Sequence, residues 1–382
     1  MANYNFLDFS NSNPNPNSTK TFLPIGEKLK IGLVGVGKRV RNQILPLLNK
    51  NSNFEVAGFW TRSQSTREEF HKDTEITSFE SVEILAENVN ALIVCVNQNA
   101  LNEVTEAVIK TGVPVLVETP VMSVQAVQYA QQNNQIFGAL EQWPFLPIEQ
   151  FKKLYKDRFF RTAPYLGVND CRSFDYHAIA QVRSYIGRDQ LPLNVKATHI
   201  SIEAPFNHRN NSGEIVKTSD SWDISHVQFE NAVLIHNFSY MCKTAPFRKM
   251  QTLKCISADG TMISGRMNSC GSDYEILQFS HLSNEETVDS IIKVSREENT
   301  TLEIKDEVTG LSWVNPYADL QLNDQETAMM TVIDGFRRKI MGEDDFGFYD
   351  AGNALTDTAV MTGIKTSIAN QSPVQFRQQA PR

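Results

Sequence analysis

The segment KIGLVGVGKRV, from Lys30 to Val40, constrains this chain more than any other stretch. An apolar run from Ile31 to Val36 meets two closely spaced glycines, the pattern of a buried parallel strand entering a tight turn. Gly35 suits the turn itself. Gly37 leaves room for a pyrophosphate beside the amides at the start of the next helix. The third small position of a GxGxxG/A pattern is held by Val40, which predicts looser packing of that helix on its strand.

The segments that follow keep one rhythm. VRNQILPLLNK carries Val40, Ile44, Leu47 and Leu48 at helical spacing, with Pro46 placed to bend the segment or start a new turn. FEVAGFW, NALIVCV, PVLVE and IFGALEQ read as further strands. STREEFHK, SVEILAE, ALNEVTEAVIKTG, MSVQAVQYAQQNN and PIEQFKKLYKD read as the helices among them. This alternation predicts an α/β fold whose N-terminal part is a Rossmann-type parallel sheet.

Beyond Leu193 the pattern becomes β-rich, with NVKATHISIEA, SHVQFENAVLIHNFSYM, MQTLKCISADGTMISGRM and YEILQFS joined by turn residues such as Asp259-Gly260. These runs predict a C-terminal α+β domain with a largely antiparallel sheet. QETAMMTVIDGFRRKIMG and ALTDTAVMTGIKTSIA return to helical spacing and are expected to cover one face of that sheet. The other face then meets water, a substrate or another subunit, so a homo-oligomer formed through the C-terminal sheet is expected.

A chain of 382 residues exceeds what one hydrophobic core supports, so two domains are expected. The Asn-, Ser- and Pro-rich residues 1–26 read as a flexible extension, 27–147 as a dinucleotide-binding domain, and 148–382 as a substrate-binding domain. A helix over 174–186 is expected near the cleft between them.

The net charge of −8 is spread without long blocks, which argues against nucleic acid as a partner. The chain shows no apolar run long enough to span a membrane and no signal-like start. Five scattered cysteines, none in a CxxC pair, suit free thiols in a cytoplasmic setting, and no metal knuckle is visible.

The end of the second strand bears on which dinucleotide binds. An acidic residue there would hold the adenosine ribose hydroxyls, but the sequence reads Phe59-Trp60-Thr61-Arg62-Ser63. Arg62, with the hydroxyls of Thr61 and Ser63, offers the charge and hydrogen bonds of a 2′-phosphate site. NADP is favoured and NAD remains possible, the competing reading being a surface arginine. Asn97 and Gln98, after the third strand, stand where cofactor-contacting loops occur, or form a structural turn. Glu141-Gln142-Trp143 follows a strand and faces the expected cleft, where Trp143 stacks on a cyclic ligand or packs between domains.

KIGLVGVGKRV, FEVAGFWTRS, NALIVCVNQNALNEVTEAVIKTGVPVLVETPV, FDYHAIAQVRSYIG and FENAVLI with ISADGTMI together resemble the glucose-fructose oxidoreductase / inositol dehydrogenase (Gfo/Idh/MocA) family, across both domains. The resemblance implies NAD or NADP in the first domain, with Glu118 among its contacts, and hydride transfer to or from a small, often cyclic substrate over the second-domain sheet. The family's EKP motif reads Glu118-Thr119-Pro120 here, so Thr119 offers a substrate hydrogen bond but no ammonium. The family's D-x-G-x-H-x-x-D helix aligns its histidine with His177, while Ser173 and Ala180 take the acidic positions.

His177 is the expected proton-transfer residue. Tyr176 and Asp175 are its alternatives or assistants, and Arg172 is a candidate for an anionic substituent. An NAD(P)-dependent oxidoreductase is the leading expectation. A biliverdin reductase-like reduction of a tetrapyrrole and a catalytically inactive dinucleotide-binding or assembly protein are the alternatives.

Overall fold

Five short parallel strands build the first sheet: β1 (Leu29–Val34), β2 (Phe54–Trp60), β3 (Ala91–Val94), β4 (Val115–Val117) and β5 (Phe137–Ala139), in the order β2-β1-β3-β4-β5. Every residue of β3, β4 and β5 is buried, as a sheet covered on both faces requires. The computed structural model describes residues 5–6, 28–171, 175–209, 215–239, 251–269 and 272–378. The proposed role of residues 1–26 as a flexible extension falls almost wholly outside that set, apart from Asn5–Phe6, which pair in parallel with Arg377–Gln378.

The helices of this domain start where the sequence supplies caps. Side chains of Ser63, Ser81, Asn97 and Ser123 accept backbone N–H groups at the starts of α2 (Gln64–Thr74), α3 (Val82–Glu87), α4 (Gln98–Ile109) and α5 (Val124–Gln132). The first helix differs. A widened π-turn over Val40–Ile44 precedes α1 (Leu45–Lys50), and the Leu45 N–H reaches Val40 O, five residues back. Pro46 lacks a donor and its ring crowds the carbonyl four residues earlier, so the turn before it opens. Val40, in place of a third glycine, is fully buried at the start of that widened turn.

The second domain is organised on a nine-stranded sheet. Its strands are β6 (Leu166–Asp170), β7 (Pro192–Arg209), β8 (Ile215–Phe229), β9 (Val233–Ser239), β10 (Gln251–Ile256), β11 (Gly260–Ser269), β12 (Ser272–Ser283), β13 (Glu286–Asp289) and, after a three-stranded sheet of β14 (Ile292–Glu297), β15 (Thr300–Asp306) and β16 (Ser312–Val314), the short β17 (Val374–Gln375). The spatial order is β13-β12-β11-β10-β6-β9-β8-β7-β17, antiparallel throughout except for β6 with β9. One face carries the buried Val195, Val227, Leu234, Leu253, Cys255, Met262 and Phe279. These pack with α6 (Pro147–Phe159), α7 (Asp175–Ile186) and the later part of α9 (Ala351–Asn370). Gly167 allows the approach of α7: a Cβ there would sit 2.2 Å from Val182 Cγ1.

The remaining long helix, α8 (Asp324–Ile340), departs from the expectation that both C-terminal helices cover the second sheet. Its Met329, Met330, Val332, Ile333 and Phe336 join the core of the parallel-sheet domain. Helix α9 serves both cores, contributing Ala351 and Ala354 to the first and Val360, Met361 and Ile364 to the second. A buried ion pair ties it to α7, with Arg183 Nη1 2.6 Å from Asp357 Oδ1, and the Tyr349 hydroxyl donates to Asp357 Oδ2 at 2.5 Å. The Tyr349 carbonyl accepts the Ala139 N–H at 2.8 Å, so the same joint reaches the edge of β5. That joint holds the last turn of α7, while the first turn of the helix meets the residues that follow the parallel strands.

Candidate active site

The turn after β1 adopts the form its glycines permit. Gly35 has φ +86°, and a Cβ there would lie 2.4 Å from Cys95 O, so both conformation and space demand glycine. Gly37 is different: its φ is outside the left-handed region, it is exposed, and a Cβ on it would meet nothing within 4 Å. Protein packing therefore gives no reason for Gly37. Open space beside the first amides of a helix fits a dinucleotide pyrophosphate.

At the end of β2, Arg62 is 65% exposed, with Nη2 3.3 Å from Glu103 Oε1 on α4. Ser63 Oγ is occupied in capping α2 and in a 3.0 Å contact with Ser65 Oγ, and Thr61 is half-buried beside it. Asn97 caps α4 through Oδ1, which accepts the Ala100 N–H at 3.1 Å, so its side-chain oxygen has a structural duty. Gln98 is the exposed first residue of that helix.

Residues after β4 and β5 meet the start of α7. Glu118 Oε1 accepts the Thr119 N–H at 3.0 Å and the Thr119 hydroxyl at 3.4 Å, within a segment whose Thr119-Pro120 peptide is cis. The Tyr176 hydroxyl donates to Thr119 Oγ1 at 3.3 Å. Burial, reinforced by the charges of Glu141, Glu118 and Asp175, pushes the Tyr176 phenol well above its ordinary value, so it remains a hydrogen-bond donor at neutral pH.

His177 Nδ1 lies 2.7 Å from Glu141 Oε2, and Glu141 Oε1 accepts the Trp143 N–H at 3.2 Å. The imidazole is flanked by the rings of Tyr176 and Trp143, with centroids 4.3 and 5.6 Å away.

Sequence reasoning named His177, Tyr176, Thr119, Trp143 and Glu118, and these come together. Asp175 stands apart from the group around His177 Nδ1: its two carboxylate oxygens each lie 3.3 Å from Lys365 Nζ on α9. Arg172 lies outside the described residues, as does Ser173.

Sequence reasoning assigned no role to Arg39, Gln142 or Glu141. Arg39 Nε donates to Glu118 Oε2 at 2.9 Å, Nη2 to Gln142 Oε1 at 3.3 Å, and Nη1 to Gln43 Oε1. The signal that could have found Glu141 is its position two residues past the end of β5, at the carboxyl edge where ligands of such sheets bind. Arg39 offered only its place two residues after Gly37.

Among the described residues no group of three or more His, Cys, Asp or Glu side chains could hold a metal ion, and no helix is long and apolar enough to cross a membrane.

Residues 29–138 match the family model described as "Oxidoreductase family, NAD-binding Rossmann fold", that of Gfo/Idh/MocA. No curated protein matches the sequence. Among solved structures, UDP-N-acetylglucosamine 3-dehydrogenase from Acidithiobacillus ferrooxidans is similar with a TM-score of 0.61 at 14% identity, covering 90% of this chain and 98% of that one. An NAD binding oxidoreductase from Klebsiella pneumoniae aligns at 0.64 and 14% identity over 92% and 100% of the two chains. An oxidoreductase from Agrobacterium radiobacter, in complex with NAD+, L-tartaric acid and magnesium, aligns at 0.62 and 16% identity over 91% and 98%. Residues 29–138 thus match the NAD-binding Rossmann domain of the Gfo/Idh/MocA oxidoreductase family, and the solved structures extend the likeness of fold to both domains.

Proposed function

We propose that this chain is an NAD(P)-dependent oxidoreductase, with NADP favoured, that moves hydride to or from a small cyclic substrate. The observation that carries this reading is the Glu141–His177 pair, 2.7 Å apart, at the same carboxyl edge of the parallel sheet as the Gly35–Gly37 turn. Arg62, in place of an acidic residue at the end of β2, supports NADP.

Bound at that edge, the dinucleotide supplies or accepts the hydride. In the oxidising direction His177 takes the substrate O–H proton on Nε2 while the C–O bond becomes C=O. In the reducing direction it returns that proton to the new hydroxyl. Glu141 fixes the ring by accepting from Nδ1–H, which sets the tautomer whose lone pair is on Nε2. Tyr176 and Thr119 hydrogen-bond the reacting oxygen, and Trp143 stacks on the substrate ring.

Self-association through the sheet face opposite the helices belongs to the same reading. Val168, Ile200, Trp222, Ile224, Ile235 and Ile263 are incompletely buried and alternate with the inward residues of their strands. The buried thiols of Cys95 and Cys255 favour a reducing, cytoplasmic setting.

The test is titration of NADPH and NADH by nicotinamide fluorescence, followed by turnover assays with polyols, sugars and cyclitols. Binding of NADPH and turnover lost in His177→Asn are expected. Failure of both dinucleotides to bind would overturn the reading. Binding without hydride exchange would leave a dinucleotide-binding protein, and turnover confined to a linear tetrapyrrole would move the substrate to that class.

A further inference from the structure

Side chains around the site close into a ring. Arg39 binds Glu118, Glu118 binds Thr119, Thr119 accepts from Tyr176, the adjacent His177 meets Glu141, and the adjacent Gln142 returns to Arg39. The ring contains two carboxylates, and Arg39 is its one permanent cation. Thr119, where the family resemblance leads one to expect lysine, contributes no charge.

From this geometry we infer that Arg39 supplies the cleft cation that Thr119 lacks, and that it receives a carboxylate of the substrate. The substrate class is thereby a ring-bearing hydroxy acid, with its carboxylate on Arg39 and its reacting hydroxyl toward His177. The inference rests on the oxidoreductase reading for the dinucleotide beside it, but not for the anion contact itself.

The guanidinium has the features such a contact needs. Its side chain is 31% exposed, so an anion can reach it. Glu118 engages only Nε, whereas the two terminal nitrogens are held by the neutral amides of Gln43 and Gln142. Three of its five N–H groups are used, which leaves two for a ligand. A carboxylate can take the terminal fork by displacing the amides. A carboxylate adds its own charge and a bidentate geometry to bonds that the neutral amides make singly. Arginine cannot give up its proton at neutral pH, so Arg39 binds charge and leaves proton transfer to His177.

Among the described residues, the cation at the start of α7 is differently committed: Lys365 sits 3.3 Å from both oxygens of Asp175. The nearest competing role for Arg39 is the cofactor pyrophosphate, because Arg39 is two residues after Gly37. The two roles differ in which ligand loses affinity when the guanidinium is removed.

The experiment is calorimetric titration with tartronate, a three-carbon hydroxy diacid, on the full chain with and without NADPH. Reduced cofactor and an alcohol-level ligand cannot react, so the complex is a dead end. Glycerol, of the same carbon skeleton without carboxylates, is the neutral control. Tartronate is expected to bind and glycerol not. Arg39→Met is expected to weaken tartronate by roughly tenfold or more while changing NADPH affinity by less than about threefold. Arg39→Lys, which keeps charge but not the fork, should fall between.

Equal tartronate affinity in Arg39→Met and the parent would overturn the assignment. So would NADPH affinity falling in parallel with tartronate, which makes Arg39 a cofactor ligand, and so would no tartronate binding by the parent. If NADPH does not bind at all, the oxidoreductase reading fails, and the titrations without cofactor still decide the role of Arg39.

Discussion

His177 Nδ1 sits 2.7 Å from Glu141 Oε2, and the carboxylate is 1% exposed while the imidazole is 12% exposed. A buried carboxylate on one ring nitrogen fixes both tautomer and ring orientation, so the opposite nitrogen meets the substrate in one protonation form. Glu141→Gln can present its NH2 to Nδ1 and favour the wrong tautomer. It is expected to lower kcat by roughly 10- to 100-fold with NADPH affinity unchanged. His177→Asn should cost more, and adding Glu141→Gln to it should cost little further, because the two act as one unit. Steady-state kinetics of the two single variants and the double variant decide this. Additive losses would mean that Glu141 acts independently of His177.

The two turn glycines separate folding from binding. Gly35→Ala puts a Cβ 2.4 Å from the Cys95 carbonyl oxygen at φ +86°, and is expected to cost at least about 2 kcal/mol of stability. Gly37→Ala meets no atom within 4 Å of its Cβ and should leave stability within about 0.5 kcal/mol of the parent. It should nevertheless weaken NADPH binding by roughly tenfold or more, because the methyl group enters space expected to hold the pyrophosphate. Thermal melts paired with fluorescence titration test both statements. Unchanged NADPH affinity in Gly37→Ala would place the pyrophosphate elsewhere.

This contrast also marks how far the sequence could be read. The parallel strands were legible because a sheet buried on both faces writes itself as unbroken apolar runs, as in Ala91–Val94 and Val115–Val117. Helix α8 was legible as a helix but not as a partner of the first core, since an amphipathic pattern states that a face is buried without stating against what. Val40 suggested looser packing, but it is fully buried, and the π-turn that begins at it follows from Pro46 just beyond. In the site, His177 and Thr119 were found by motif position. Arg39 and Glu141 come from strand and helix ends far apart in sequence, and only the folded chain shows that they belong to one ring.

Dinucleotide preference should turn on Arg62. Its side chain is 65% exposed and its neighbour Glu103 is 75% exposed, so their 3.3 Å pair is weak and readily exchanged for a phosphate. Arg62→Asp is expected to reduce NADPH affinity by roughly 10- to 100-fold while preserving or improving NADH binding. Glu103→Gln should strengthen NADPH binding a few-fold, most clearly at low ionic strength where exposed charges are least screened. Parallel titrations at two salt concentrations read both effects. An unchanged NADPH-to-NADH ratio in Arg62→Asp would make Arg62 a surface residue.

The floor beneath the start of α7 should impose an acid limit on the fold. His236, 2% exposed on the inward face of β9, has Nδ1 3.1 Å from Asn169 Nδ2. Burial pulls its pKa down from 6.5 to about 4, against the opposing pull of Asp175 and Asp223. The folded state therefore holds this ring neutral where the unfolded chain has already taken up a proton. As pH falls from about 6.5 to about 4 the unfolded state binds more protons at this site, so stability is lost over that window and levels off below it. The contribution is on the order of 3 kcal/mol, from the difference between those two values. His236→Gln keeps an amide for Asn169 but does not titrate, so its stability should fall less between pH 7 and pH 4.5 than that of the parent. Urea denaturation at the two pH values measures the difference. Equal acid losses in parent and variant would show that the buried imidazole does not set this limit, and that the carboxylates of the fold carry it instead.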